Sequence, residues 1–347
     1  LMRARAQPSI RMARVPAPSP AKPAATRNDV ARLARVSPAV VSYVVNRSKR
    51  VSPETEARVR QAIAMLGYRP NSAARSLRLG STETLGMLVP DTTNSYFASL
   101  AHQVELAAIR RGRDLIVGNS DGSLEAERRL LDHFTARRVD GVLLCSSVFR
   151  PDISSLRADN IPVVLLNHAA DAPGVAWIGA DLRLGARLAV EHLAGHGHRR
   201  IGLVIGTTTD DVQDARHAGW SEAIDTLGLE RGPVVSVGFN SRGGYEAGRQ
   251  LLADGDVPPA LFVSSDRQAI GLLLAMHEAG VRVPDDVAIV GFDGAEDGEY
   301  SWPPLTTVAQ PIEQMARTAV DLMIDGAGDD VNQVFPPTLL VRRSCGC

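Results

Sequence analysis

The chain has 347 residues, is 44% apolar and carries a net charge of -1. That length allows two or three domains, and the apolar share excludes a wholly disordered chain. Three cysteines exclude a disulfide framework, and no apolar run approaches the roughly 20 residues that cross a bilayer, so a cytoplasmic setting without membrane contact is expected.

The net charge hides a division. Residues 1–80 hold 16 Lys and Arg against 3 Asp and Glu, whereas residues 81–347 hold 22 against 36. A basic nucleic-acid module on an acidic body fits this asymmetry, and a solvated basic tail is the plainer alternative. Residues 1–25 are rich in Arg, Pro and Ala, lack the apolar stretch of a secretory signal, and read as a disordered basic tail. Residues 26–80 read as an all-helical headpiece. Val30, Ala34 and Val36, then Val41, Val44 and Val45, form an apolar face across a break, and Ser37 is placed to cap a second helix that opens on Pro38. Two short helices joined this tightly predict a helix-turn-helix, whose second helix enters the major groove of double-stranded DNA.

Pro38, Ala39 and Val40, followed by Ser42 and Tyr43, make an apolar reading set suited to thymine methyls and groove shape. Ser37, Ser42, Asn46, Arg47, Lys49 and Arg50 are placed for phosphates. Ser52-Pro53 opens a third helix with Val59, Ile63 and Leu66 as its buried stripe and Gly67 as its stop. Pro70-Asn71 starts a hinge stub over 72–79. There Ala73 and Ala74 permit close approach of a second copy, and Leu77, between Arg75 and Arg78, is placed as a minor-groove wedge. A linker helix with Leu77 packed on the body is the alternative.

From Thr82 the period changes, and residues 81–347 read as an α/β body. TLGMLVP, RDLIVGN, VDGVLLC, PVVLLN, VAWIG, RIGLVIG, PVVSVGF, ALFVSS and VAIVGFD look like buried strands separated by amphipathic helices. Nine or ten strands predict two parallel sheets, each covered on both faces.

The strings DVARLARVS, VVSYVVN, VSPETEARVRQAIAMLGYRPN, AARSL and LGMLVPDTTNSYFASL resemble the lactose-repressor/purine-repressor (LacI/GalR) family of bacterial transcription regulators, over almost all of Thr26 to Arg343. Two positions depart from the family. Arg35 stands where the turn often holds Gly, at about 1 kcal/mol if its backbone is left-handed, and Tyr43 stands where many members carry a base-contacting Arg.

The resemblance implies a periplasmic-binding-protein-like body of two α/β subdomains with a ligand cleft between them, and chain crossings near Asp181, Thr307 and Val331. It implies a cleft lined by Tyr96, Phe97, Asn167, Arg216, Phe239 and Asp293, with Asp266 behind. On pattern alone Tyr96 and Phe97 could instead be core residues of the following helix, and Arg216 a surface ion pair.

His196 and His198 lack a third partner nearby, and Cys345-x-Cys347 lacks a second pair, so no metal site is expected. Cys145 reads as a core thiol. No nucleotide loop and no nucleophile elbow occurs, so neither a cofactor nor an enzyme activity is expected. A homodimeric regulator of operator DNA follows, switched by a sugar-like effector. A nucleoside-responsive regulator or a transport solute-binding protein with the same body are the alternatives. An enzyme tethered to DNA would need an acid/base or metal set that the sequence does not display.

Overall fold

The computed structural model describes residues 25–46, 48–69, 80–146, 148, 151–167, 174–206, 214–326 and 331–347. The tail 1–24, Arg47, and the stub with Asn71, Ala74 and Leu77 lie outside the described residues. The chain divides at Arg78/Leu79 into two compact units.

The first unit is helical. Helix α1 (Arg27–Ala34) opens on a reciprocal cap, in which the Asp29 amide donates to Thr26 Oγ1 at 3.3 Å and the Thr26 amide donates to Asp29 Oδ2 at 2.9 Å. It stops at Arg35, whose φ of 54° and ψ of 48° are left-handed. Helix α2 (Pro38–Asn46) follows, with Ser37 Oγ accepting from the Val40 amide at 3.4 Å. Helix α3 (Pro53–Leu66) is capped by Ser52 and ends at Gly67, with φ of 60°. Val30, Ala31, Ala34, Val41, Val44, Val59 and Ala62 form the buried core. Leu66, expected inside, is exposed, and Ala62 takes the place. Position 66 shares the angular face of 59, 62 and 63, but Leu66 is the last residue of α3 and lies at the end of the helix rather than over its packed middle.

The second unit carries two six-stranded sheets. Its first sheet is built from β1 (Thr84–Val89), β2 (Asp114–Asn119), β3 (Gly141–Leu144), β4 (Val163–Leu166), β5 (Ala176–Ala180) and β11 (Asn332–Phe335). Between these strands come helices α4 (Ser95–Arg110), α5 (Leu124–Arg137) and α6 (Ser154–Ala158). The spatial order is β2-β1-β3-β4-β5-β11, all parallel.

The second sheet holds β6 (Arg200–Gly206), β7 (Glu230–Val237), β8 (Ala260–Val263), β9 (Ala288–Asp293), β10 (Thr306–Ala309) and β12 (Thr338–Leu340). Its helices are α7 (Leu182–Gly195), α8 (Ala215–Thr226), α9 (Ser241–Ala253) and α10 (Asp266–Glu278). The order is β7-β6-β8-β9-β10-β12, parallel except for β12. Both sheets therefore repeat one doubly wound order, with the reversal beside β1 in one and β6 in the other. Ligands in such sheets sit outside the strands' carboxyl ends at that reversal.

Among the described residues twelve strands stand where nine or ten were expected. The additions, TTVA, NQVF and TLL, are too short or too polar to stand out as apolar runs. The crossings also differ. The first falls at Asp181, as expected. The second is at Gln310-Pro311 rather than Thr307, which lies inside β10, and it leads into α11 (Ile312–Asp325) against the first sheet. The third is at Pro336-Pro337 rather than Val331, because β11 first completes the first sheet beside β5. Met315, Ala319 and Val320 of α11 share the core of Leu85, Met87 and Val104, whereas Trp220 packs with Phe262 and Phe292 in the second half.

Arg35→Gly should remove the left-handed penalty, partly offset by a looser unfolded chain, for a net gain of about 0.5–1 kcal/mol in the headpiece. Denaturant unfolding of the headpiece transition measures it. A gain no larger than that of Arg35→Ala would disprove a backbone origin.

Candidate functional site

Loops at the carboxyl ends of both sheets bring distant side chains together. On the first half, Asn94 caps α4 by accepting from the Tyr96 amide at 3.1 Å, which fixes Tyr96 in the first turn of the helix. Tyr96 is buried, and Phe97 meets it edge-on at 5.2 Å between centroids. Asn167 follows β4 with a φ of 59°, a conformation that asparagine tolerates better than most residues. The Tyr96 hydroxyl lies 2.7 Å from Asn167 Oδ1 and 3.1 Å from Gln310 Oε1. A phenol has one proton for these two acceptors, so an amide turned to present Nδ2 would satisfy all three groups. Gln310 Nε2 in turn donates to Asp293 Oδ1 at 3.0 Å. This chain of four polar residues runs from the first half, through the second crossing, to the end of β9.

On the second half, Arg216 lies in the first turn of α8 and is almost fully paired. It donates to Asp214 through Nε at 3.0 Å and Nη2 at 2.6 Å, and to the Ser264 carbonyl through Nη1 at 2.8 Å. Its guanidinium sits 4.8 Å from the ring centroid of Phe239 and 5.5 Å from that of Phe292. Gly206 makes room for this stack, since a Cβ there would fall 1.7 Å from the Phe239 ring. Asp266 is buried behind the site, accepting from Thr307 Oγ1 at 2.5 Å and the Ala295 amide at 2.7 Å. Asp293 ends β9 at a φ of 119°, a strained value for a residue with a side chain.

The charges are unequal. Burial opposes ionisation of Asp214, but Arg216 outweighs it and holds that carboxyl below its usual range. Asp293 is pushed up to about 7 by burial, with Arg216 and Gln310 only partly opposing. Asp266 is raised well above the carboxylate range by burial and by the charge of Asp293. Burial and Asp293 also keep the Tyr96 phenol protonated. The cluster is therefore close to neutral, with hydroxyl, amide and carboxyl groups facing one another.

At the mouth, Arg267 of α10 reaches across to Asp91 and to Thr93 Oγ1, in the loop after β1. A cavity of about 330 Å³ lies beside this bridge, lined by Ser95, Ser241, Ile270 and Tyr300 among others.

The structure thus gathers Tyr96, Asn167, Arg216 and Asp293, with Phe97 and Phe239 beside them and Asp266 behind. Sequence reasoning missed Asp214, Gln310, Ser264 and Phe292. Asp214 had a signal, as a capping residue two positions before Arg216. Gln310 had none, since it lies on a crossing whose position was misjudged.

In the headpiece, Ser37, Pro38, Ala39 and Asn46 are exposed, and Val40, Ser42 and Tyr43 half-buried. Ser42 Oγ accepts from Arg27 Nη1 at 3.1 Å, and Lys49 Nζ lies 5.2 Å over the Tyr43 ring. The histidines of the second half group differently from their spacing in sequence. His192 and His196, rather than His196 and His198, lie within 4.8 Å of each other and of Cys347 through their ligand atoms. The third partner is remote in sequence, so spacing did not reveal it.

Residues 26–71 match the family model for bacterial regulatory proteins, lacI family, and residues 190–345 match a periplasmic binding protein-like domain. The chain is 35% identical to the ribose operon repressor of Escherichia coli K12 over 323 residues, 92% of this chain and 96% of that one. It is 33% identical to the HTH-type transcriptional repressor PurR of Photobacterium profundum, over 92% and 98%. Among solved structures it resembles the lac repressor dimer bound to operator and the anti-inducer ONPF, with a TM-score of 0.82, 29% identity and coverage of 92% and 99%. The transcriptional regulator CelR in complex with cellobiose matches with a TM-score of 0.67, 31% identity and coverage of 92% and 99%.

Asp293 keeps its proton in the folded chain up to about pH 7, whereas the unfolded chain releases it near 3.8. The fold binds the extra proton between those values, so stability falls as pH rises through that window. Asp293→Asn should flatten this decline and stabilise the second unit at pH 8 by on the order of 2–4 kcal/mol. Thermal unfolding between pH 4 and 8 tests it, and an unchanged slope would show that Asp293 ionises normally.

Proposed function

The chain belongs to the lacI family of bacterial regulatory proteins, and from that premise we propose that a neutral, polyhydroxylated effector of the sugar class sets its grip on one operator. It is a sequence-specific DNA-binding transcriptional regulator, controlled by a small-molecule effector and acting as a repressor like its named relatives. We assign the effector to Tyr96, Asn167, Arg216 and Asp293, with Phe97 and Phe239 as apolar walls and Asp266 holding the loop behind. The observation that carries the sugar reading is the pairing of Arg216 with Asp214. A carboxylate effector would compete with Asp214 for one guanidinium while meeting two further buried acids. A neutral polyol would use the remaining N–H groups, the amides and the carboxyl oxygens without adding charge. Aromatic faces beside these groups suit the apolar face of a sugar ring. A nucleoside offers ribose hydroxyls and a flat base to the same hydroxyl, amide and aromatic groups, and is the second reading.

On DNA, the start of α2, with the exposed cap Ser37, the exposed Pro38 and Ala39 and the half-buried Val40, would face base edges, and Ser42, Tyr43, Asn46 and Arg47 would follow along the groove. Arg27 would release Ser42 to a phosphate. Asn71, Ala74 and Leu77 form the hinge that pairs between two subunits of a homodimer and wedges the minor groove. No described helix is long and apolar enough to cross a membrane, and we place the protein in the cytoplasm with its operator. An effector switches it only by binding two arrangements of the halves unequally.

Selection of bound DNA from a random pool, repeated with neutral sugars, nucleosides and sugar acids, tests the whole reading. Release or tightening by a neutral sugar is expected, and a response confined to acids would refute the charge argument. Tyr96→Phe should weaken the effector about tenfold through one lost hydrogen bond, with operator affinity in its absence unchanged. Arg216→Ala should abolish the response, and a retained response would remove Arg216 from the site.

A further inference from the structure

We propose that His192, His196, Cys345 and Cys347 form a tetrahedral site for a zinc-like divalent cation. His192 and His196 stand four residues apart at the end of α7, their rings edge-to-face at 4.7 Å between centroids. Cys347 Sγ lies 3.5 Å from His192 Nε2 and 2.9 Å from His196 Nε2, and Cys345 Sγ lies 3.2 Å from Cys347 Sγ. A tetrahedral zinc with bonds of about 2.0–2.1 Å to nitrogen and 2.3 Å to sulfur sets N and S about 3.6 Å apart and two S about 3.8 Å apart. The separations of Cys347 from the two imidazoles and from Cys345 need less than about 1 Å of adjustment by that standard, whereas Cys345 stands outside the group of His192, His196 and Cys347 whose ligand atoms lie within 4.8 Å of one another, so its buried thiol has to turn toward the imidazoles to complete the set.

The segment carrying the thiols is held in place. Ser344 Oγ donates to the Ile289 carbonyl at 2.6 Å and accepts from the Thr306 amide at 2.8 Å, and the buried Cys345 sulfur accepts from Thr306 Oγ1 at 3.1 Å. Both thiols are free. Two imidazoles and two thiols make a closed, borderline-soft set, which suits a structural ion rather than a catalytic one. On binding, each thiol gives its proton to solvent, and the imidazoles bind through neutral Nε2. The ion would fasten the segment after β12 to the far end of α7, two stretches that enter the second half by different crossings.

The test uses the full-length protein, reduced, loaded with zinc sulfate and desalted, with metal content measured by mass spectrometry and cobalt(II) as a spectroscopic substitute. About one zinc per chain is expected, together with a thiolate-to-cobalt charge-transfer band and a higher unfolding midpoint. Cys347→Ser and His196→Ala should each lower occupancy at least tenfold and abolish the band, while His198→Ala, next to the set but outside it, should retain both. Equal zinc in Cys347→Ser would overturn the site, as would a folded, reduced native chain without zinc. So would a chain two hydrogens lighter that refuses metal until reduced and binds none afterwards, which would make the thiols a redox pair.

Discussion

One largely enclosed guanidinium serves a neighbourhood of three carboxyls, two of them buried, and the cleft is arranged around that shortage. Arg216 gives two of its edges to Asp214 and a third to the Ser264 carbonyl. Asp266 and Asp293 are left to be stabilised by protons and by neutral donors, chiefly Thr307, the Ala295 amide and Gln310. Phe239 and Phe292 enclose the cation, and two glycines around the cluster are sterically committed. Gly206 faces the Phe239 ring, and a Cβ on Gly291 would meet Asp266 Oδ1 at 2.3 Å. A charge excluded from water in this way is expensive to leave unpaired, so the polar network and the packing specify each other.

The fold was largely legible because its signals are local. Capping at Ser37 and Ser52, the stop at Gly67, and the long buried runs of β1, β3, β6, β8 and β9 follow from neighbours in sequence. Asn167, Asp266 and Asp293 were legible as polar residues closing apolar strands. What escaped depends on contacts between distant segments. The short strands β10, β11 and β12 gain order from the sheets they complete rather than from their own composition. Gln310 matters because a crossing passes the cleft, and no periodicity marks a crossing. The spacing of His192 and His196 was visible, yet 151 residues separate His196 from Cys347, and only the sheet brings them together.

The two halves repeat one strand order, so each presents a reversal point to the other. The loop after β1 leads to Tyr96 from one side, and the chain after β6 leads to Arg216 from the other. Across the mouth, the ion pair of Arg267 with Asp91 is partly exposed and worth no more than about 1 kcal/mol. A link of that strength closes the halves without locking them, which suits a cleft that exchanges its occupant.

Gln310 stands on the strap where the chain passes from β10 to α11, and its amide touches both Tyr96 and Asp293. The pivot and the pocket wall are thus one residue. On the proposed reading, an effector hydroxyl that inserted between Tyr96 and Gln310 would act on the strap itself, with no relay of side chains in between. The gearing between occupancy and rotation would then rest on a single amide, held by one contact on each side.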